Sequence, residues 1–227
     1  MPDPVYLRKP ALPNFSYYQA MPTLAEQFGH IDIYLFDQLL RGRIARGMRI
    51  LDAGCGHGRN LVWLLRNARE EGFEIFGADR DPGAIASVRR LSATLAPHVP
   101  VENFRVEPIE TMSFPDAAAD FLISSAVLHF ASDDDHFRAM LQGAWRKLKS
   151  GGVFFCRLAS SIGIEREVRQ LNGRRCLLPD GSERYLVDEP LLAGLAREMG
   201  ATFADPLKTT VVQHQRSMTT WVLQKNR

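Results

Sequence analysis

Residues 50–60 read ILDAGCGHGRN: a short apolar run, an aspartate, then three glycines within five positions. The run has the length and side chains of a buried strand, and after Gly58 the residues Leu61, Leu64, Leu65 and Ala68 fall on one helical face. A strand that feeds a helix through Gly54, Gly56 and Gly58 makes a turn nearly free of side chains. A ligand can lie there against bare backbone and a helix N-terminus. Spacing narrows the choice of ligand. The dinucleotide fingerprint needs GxGxxG, but here the third glycine comes one position early and Arg59 holds its place. A P-loop needs Gly-Lys-Ser or Gly-Lys-Thr, and neither follows. Asp52 beside the loop repels a pyrophosphate and attracts a cation.

Working outward, short apolar runs alternate with helical patterns from residue 49 onward, the signature of a parallel sheet covered by helices. Strands are expected at 49–53, 74–78, 103–107, 120–125 and 152–158, each apolar enough for burial on both faces. Helices are expected after Gly58, from Pro82 with Ile85, Val88 and Leu91 on one face, and from about Ser132 to Leu148, with KSGG (149–152) as a stop. Beyond the fifth strand the pattern loosens into an insertion at about 159–188. It holds a charged segment and CLLPDGSERYLV, whose Pro-Asp-Gly centre reads as a turn between two short strands. A helix follows at 190–200. Residues 209–224 then read as an antiparallel hairpin around a tight Gln-Arg-Ser connection. The expected fold is α/β, Rossmann-like and doubly wound, with a mostly parallel seven-stranded sheet finished by that hairpin. Residues 1–45 form an aromatic leader and lid helix, and 46–227 form the main domain.

The composition excludes several classes. With 28 basic and 26 acidic residues the formal net charge is +2, too weak a field for sequence-independent nucleic-acid binding. Cys55, Cys156 and Cys176 are odd in number and never in a CxxC pair, which argues against a disulfide framework and a zinc knuckle. No apolar run reaches about 18 residues and the N-terminus has no secretory h-region, so a cytoplasmic chain without a membrane span is expected.

LDAGCGHGRN resembles motif I of the class I S-adenosylmethionine-dependent methyltransferases. Their cofactor carries a sulfonium and an ammonium but no phosphate, which suits the loop and its acid. FGADRDPGAI resembles the second motif, with Asp79 at the end of the second strand, where a carboxylate accepts the ribose hydroxyls. Asp81, before Pro82, is the better helix cap. At the third motif the sequence departs from the family. Aligning on SFPD (113–116) puts Pro108 where an acid near the adenine amino group belongs. Either Glu107 or Glu110 substitutes, or main chain at Ile109 and apolar contact hold the adenine. DFLISSAVLHF (120–130) resembles motif IV but lacks the Asn/Asp-Pro-Pro-Tyr tetrad of enzymes that methylate amino groups of bases or glutamine. The leader FGHIDIYLFDQLLRGRI (28–44) and the ending LKTTVVQHQRSMTTWVL (207–223) are similar to small bacterial methyltransferases of the tellurite-resistance type.

The resemblance implies S-adenosylmethionine as cofactor, with Asp52, Gly54, Cys55, Gly56, Gly58 and Asn60 around its methionine end. It puts Asp79 and Arg80 at the ribose, Pro108, Ile109 and Glu110 at the adenine, and Ser124 and Ser125 at the floor. His129 is the candidate base. Tyr18 and His30 are candidates to meet the acceptor from the leader, whose Phe15, Tyr17, Tyr18 and Phe28 could cover a sulfonium by cation–π contact. Arg166, Arg169, Arg174 and Arg175 of the insertion suit a small acceptor of anionic character. SDDDHF (132–137) reads as helix capping by Ser132 and the acids that follow, with no metal. Three functions stay open: methyl transfer to a small molecule, which is favoured; methyl transfer to nucleic acid or protein, for which Arg41, Arg43, Arg46 and Arg49 would be the basic surface; and a non-catalytic binder of adenosyl ligands. A dehydrogenase is disfavoured by the glycine spacing.

Overall fold

The computed structural model describes residues 23–227. Five strands run parallel: β1 (Arg49–Ala53), β2 (Glu74–Asp79), β3 (Phe104–Val106), β4 (Ala119–Ser125) and β5 (Leu148–Ala159). Two more, β10 (Lys208–Val212) and β11 (Arg216–Lys225), extend the sheet antiparallel in the order β10-β11-β5-β4-β1-β2-β3. An eighth strand, β9 (Ala201–Phe203), pairs with the other end of β11, so two short strands share one edge of it.

Side chains that alternate across the strands feed a core on each face. Leu51, Leu122 and Phe154 pack with α5 (Asp134–Lys147) and α6 (Glu189–Glu198) through Phe137, Leu141, Leu192 and Leu195. Ile50, Ile123 and Phe155 face the other way, toward α2 (Ile33–Leu40), α3 (Val62–Glu71) and α4 (Pro82–Leu95), and meet Leu35, Leu64, Leu65 and Val88. The leader thus contributes α1 (Leu24–Phe28) and α2, whose Leu35 belongs to the core. The pair of half-buried Arg43 and buried Asp205, bidentate at 2.6 and 2.9 Å, ties the end of α2 to the chain before β10.

Three expectations are corrected. KSGG is not a helix stop followed by strand: α5 ends at Lys147 and β5 starts at Leu148. The register against β4 shifts between Ala119 and Phe121, so the glycines sit in an irregularity of the strand. The hairpin turns at Gln213, His214 and Gln215 rather than Gln-Arg-Ser, because Gln213 and His214 take left-handed φ of 46° and 57° and Arg216 already pairs with Val212. The insertion holds an additional strand. β6 (Arg169–Asn172), β7 (Arg175–Leu177) and β8 (Glu183–Tyr185) make a separate antiparallel sheet over a small core of Cys176, Leu178 and Leu186. Among the described residues no helix is long and apolar enough to cross a membrane.

Candidate active site

Successive connections leave β1 toward β2 on one side and return through β4 on the other. This switch point opens a crevice at the carboxyl ends of the strands. A cavity of about 550 Å³ lies there, lined by the glycine loop, Asp79, Arg80, residues 107–110, residues 125–127, Phe130, His136 and Met140.

The loop bends sharply because Gly54 and Gly58 adopt φ of 87° and 83°. A Cβ at Gly54 would stand 2.3 Å from the Val127 side chain, and one at Gly58 2.8 Å from Val88 of α4. Gly54 therefore lets the loop touch the cavity floor, and Gly58 lets it pack on the next helix. The backbone amides decide what the loop can bind. Gly54 and Cys55 donate to Ala78 O, Gly58 donates to Cys55 O, and Gly56 donates to Asp79 Oδ2 at 2.9 Å. In a phosphate cradle such amides point at the anion; here a carboxylate has taken the Gly56 amide, and the edge of the site is acidic.

Asp79 stands at the end of β2, its other oxygen accepting Asp81 N–H at 2.9 Å. Asp81 caps α4 by accepting from Gly83 N–H. Asp52 does not line the cavity. It is buried behind the loop at 1 % exposure, with no hydrogen-bond partner for either oxygen. Burial pushes its carboxyl up to about 7; Arg59 opposes the shift and Asp79 adds to it. Burial, together with Asp52 and Asp79, also pushes up the Cys55 thiol, which is no nucleophile at neutral pH.

At the far end Pro108, Ile109 and Glu110 line the cavity, with Ile109 buried. Gly143 of α5 makes this turn possible, since a Cβ there would lie 2.4 Å from Ile109 O. Glu107 is occupied by Ser113, accepting its N–H and hydroxyl, while Glu110 lies 3.5 Å from His136 Nε2. The acids at 132–137 form a helix start. Asp133, rather than Ser132, is the cap: it accepts His136 N–H at 2.8 Å, and Ser132 donates its hydroxyl to Asp133.

The floor corrects two expectations. Ser125 lines the cavity, but Ser124 points to the opposite face beside Cys156 of β5 and does not. His129 is buried at 4 % exposure and absent from the lining, and its Nδ1 accepts Ala159 N–H at 3.1 Å. Burial first, then Arg184 and Arg157, lowers its pKa to about 4. A neutral imidazole that accepts at Nδ1 carries its proton on Nε2, so it has no free lone pair to act as a base. Ala126 occupies the floor in a left-handed φ of 63° and donates its N–H to Arg157 O.

The leader enters elsewhere than expected. His30 is exposed and does not line the cavity. Phe28 packs edge-on against Phe36 at 4.9 Å and stacks on Trp63 at 6.2 Å, which holds α1 to α3 rather than covering the site. Phe15, Tyr17 and Tyr18 lie outside the described residues. Asp32, which sequence reasoning passed over, supplies the contact that matters. Its side chain is fully buried and caps α2 through Tyr34 N–H, while its Oδ2 accepts from Ser125 Oγ at 3.1 Å and Arg157 Nη1 at 3.2 Å. Its own N–H donates to Asn60 Oδ1 at 3.0 Å, and Arg59, which lines the cavity, reaches Ser125 Oγ at 3.1 Å. An acid just ahead of an apolar helical run was the available signal, but it reads as a cap alone.

A bare loop whose Gly56 amide is taken by the acid at the end of β2, with an orphaned carboxylate buried behind it, suits a doubly wound α/β domain to a cationic nucleoside. Residues 51–156 match the family described as methyltransferase domain. That segment carries a methyltransferase domain of the class I type, whose cofactor is S-adenosylmethionine. Over 107 residues it is 33% identical to the malonyl-[acyl-carrier protein] O-methyltransferase of Serratia marcescens, a match covering 47% of this chain and 36% of that one. The chain thus spans about a third of the length of that curated relative. Its fold is similar to the [4+2]-cyclase SpnF, with TM-score 0.67 and 18% identity over 86% of this chain and 81% of that one. It is also similar to the Burkholderia thailandensis 1,6-didemethyltoxoflavin-N1-methyltransferase with bound 1,6-didemethyltoxoflavin and S-adenosylhomocysteine. There the TM-score is 0.61 and the identity 21%, over 86% of this chain and 76% of that one.

Proposed function

We propose that the chain transfers the methyl group of S-adenosylmethionine to a small-molecule acceptor of anionic character in the cytosol. The observation that carries the reading is the Asp79 carboxylate on Gly56 N–H, which closes the loop to phosphate and leaves an acid at the rim for hydroxyl groups. Asp52, buried behind the loop without a hydrogen-bond partner, sets an acidic potential toward the methionine ammonium without lining the cavity. The half-exposed Arg59 guanidinium offers the carboxylate of the same end a cation. Ile109 and Met140 supply the apolar surface for the adenine.

When bound, S-adenosylmethionine supplies a methyl group already activated for displacement. The residues of the chain therefore hold, orient and dry, and such placement contributes on the order of 7–11 kcal/mol to lowering a barrier. The arginines that a nucleic-acid substrate would need are already matched: Arg41 by Asp37, Arg43 by Asp205, Arg46 by Glu71 and Arg49 by Glu74. That supports a small acceptor, as do the two relatives named for malonyl-[acyl-carrier protein] and 1,6-didemethyltoxoflavin. Three buried, unpaired thiols are consistent with a reducing compartment.

Parallel calorimetric titrations with S-adenosylmethionine, S-adenosylhomocysteine and NAD test the reading. Micromolar binding of both adenosyl ligands without NAD is expected. Tight NAD binding with neither of the others overturns it.

A further inference from the structure

The acceptor must approach where β4 runs out into residues 126–130, and that end of the cavity is bordered by the separate sheet of the insertion. Three arginines of that sheet and its connections face differing partners. Arg174 is matched by Asp188 at 2.9 Å, and Arg175 by Glu183 at 2.9 Å and Ala131 O at 3.1 Å. Arg184, on β8, donates to Glu183 O at 2.7 Å and lies with its guanidinium 4.9 Å above the ring of Phe130. Among the described residues no carboxylate comes within salt-bridge distance of it, and Asp180 senses it only at longer range. Phe130 is 46% exposed and forms part of the cavity wall. A cation without a carboxylate partner is therefore held against a ring of the cavity wall, itself just outside the lining.

The histidines of this region restrict the chemistry. His129 is neutral and engaged at Nδ1. His136 is engaged at both nitrogens, by Ser132 at Nδ1 and Glu110 at Nε2. Neither is free to take a proton from an acceptor. Arg157 is matched by Asp32 at 3.2 Å, so Arg184 is the guanidinium left at this end for an incoming anion.

We infer that the acceptor is a small carboxylic acid, held by Arg184 through its carboxylate and methylated on a carboxylate oxygen to give a methyl ester. This rests on the methyl-transfer reading above. The planar guanidinium fork matches a carboxylate, which at neutral pH is a nucleophile that needs no base. The oxygen lone pair forms the bond to the methyl carbon as the carbon–sulfur bond breaks and its electron pair passes to sulfur. The negative charge of the carboxylate and the positive charge of the sulfonium cancel together, and no proton moves.

The test uses the whole chain with S-adenosylmethionine and benzoate, hexanoate and glutarate beside the corresponding amides. Two readouts are taken: methanol released by mild alkali from the product, and calorimetric binding of the same compounds to protein saturated with S-adenosylhomocysteine. At least one acid is expected to bind and yield an alkali-labile methyl, while its amide does neither. Arg184→Gln raises the KM and Kd for that acid roughly tenfold or more, with the S-adenosylhomocysteine Kd unchanged. Arg184→Lys, which keeps the charge and loses the fork, recovers part of the loss and serves as the decisive variant should the glutamine form not fold. Amides that match their acids, no acid bound by protein that binds S-adenosylhomocysteine, or an unchanged acid Kd in folded Arg184 variants overturns the inference while the methyltransferase reading stands. A wild-type chain that fails to bind S-adenosylhomocysteine overturns that reading instead.

Discussion

Ser125 and Asp32, 93 residues apart in sequence, are joined by a 3.1 Å hydrogen bond in which the serine hydroxyl donates to the carboxylate. Through it the end of β4 and the start of α2 share one buried charge with Arg157, which donates through Nη1 while its buried Nε has no partner. Asp32→Ala leaves that guanidinium uncompensated. Thermal denaturation is expected to show a loss on the order of 3 kcal/mol, a midpoint lower by roughly 5–10 °C, accompanied by weaker S-adenosylhomocysteine binding. An unaltered midpoint would show that the pair contributes nothing to stability.

Asp79→Ala removes the acceptor of Gly56 N–H together with the group proposed to hold the ribose hydroxyls. Calorimetry should register a drop in S-adenosylhomocysteine affinity of roughly 100-fold, from two lost hydrogen bonds to a charged group. Asp79→Asn should fall between the two. Wild-type affinity in the alanine variant removes Asp79 from the site.

Asp52 titrates in the folded chain near 7, against an ordinary value of 3.8. Because the folded value is raised, the unfolded chain binds fewer protons between those values, and stability falls as pH rises from about 4 to about 7. Below that window the effect is absent; above it the loss stays constant. Unfolding of the free protein across this range should follow that slope, and Asp52→Asn should flatten it. A ligand ammonium on the cavity side of the loop favours the charged form of Asp52 behind it, so binding near pH 6 is expected to release a proton, detectable as buffer-dependent binding heat.

Gly143→Ala places a Cβ 2.4 Å from Ile109 O, a contact that real structures do not tolerate. The turn at 109–111 or helix α5 must move. A cost of roughly 1–3 kcal/mol in stability is expected, with a KM for S-adenosylmethionine raised more than the KM for the acceptor. Equal change in both constants would speak against Ile109 as adenine support.

His129→Gln tests the correction made above. If the ring serves the Ala159 amide, kcat should stay within about threefold of wild type while stability falls by roughly 1–3 kcal/mol. A loss of kcat by a factor of about 100 with stability intact would restore His129 as a base.

The strand–glycine–helix turn, the parallel order and Asp79 were legible in the sequence because each obeys a local rule: period, glycine placement, an acid at a strand end. What escaped depends on contacts between distant segments. Asp32 reads as an ordinary helix cap until Ser125 and Arg157 arrive beside it. Ser124 and Ser125 are equivalent in sequence, and only the parity of β4 sends one into the cavity and the other toward Cys156. His129 looked chemical because nothing local announced that Ala159 N–H would claim it. Gly143 gave no local sign, being a helix glycine whose reason is the backbone of Ile109. Phe28 read as a lid and proved to be packing.

β11 lies inside the sheet, between β5 and β10, yet synthesis reaches it after every other strand described. Until it emerges, the flank of β5 is an unpaired ribbon edge and β10 has nothing to lie against. A nascent chain that stalls or is clipped before β11 would present that sticky edge to its neighbours.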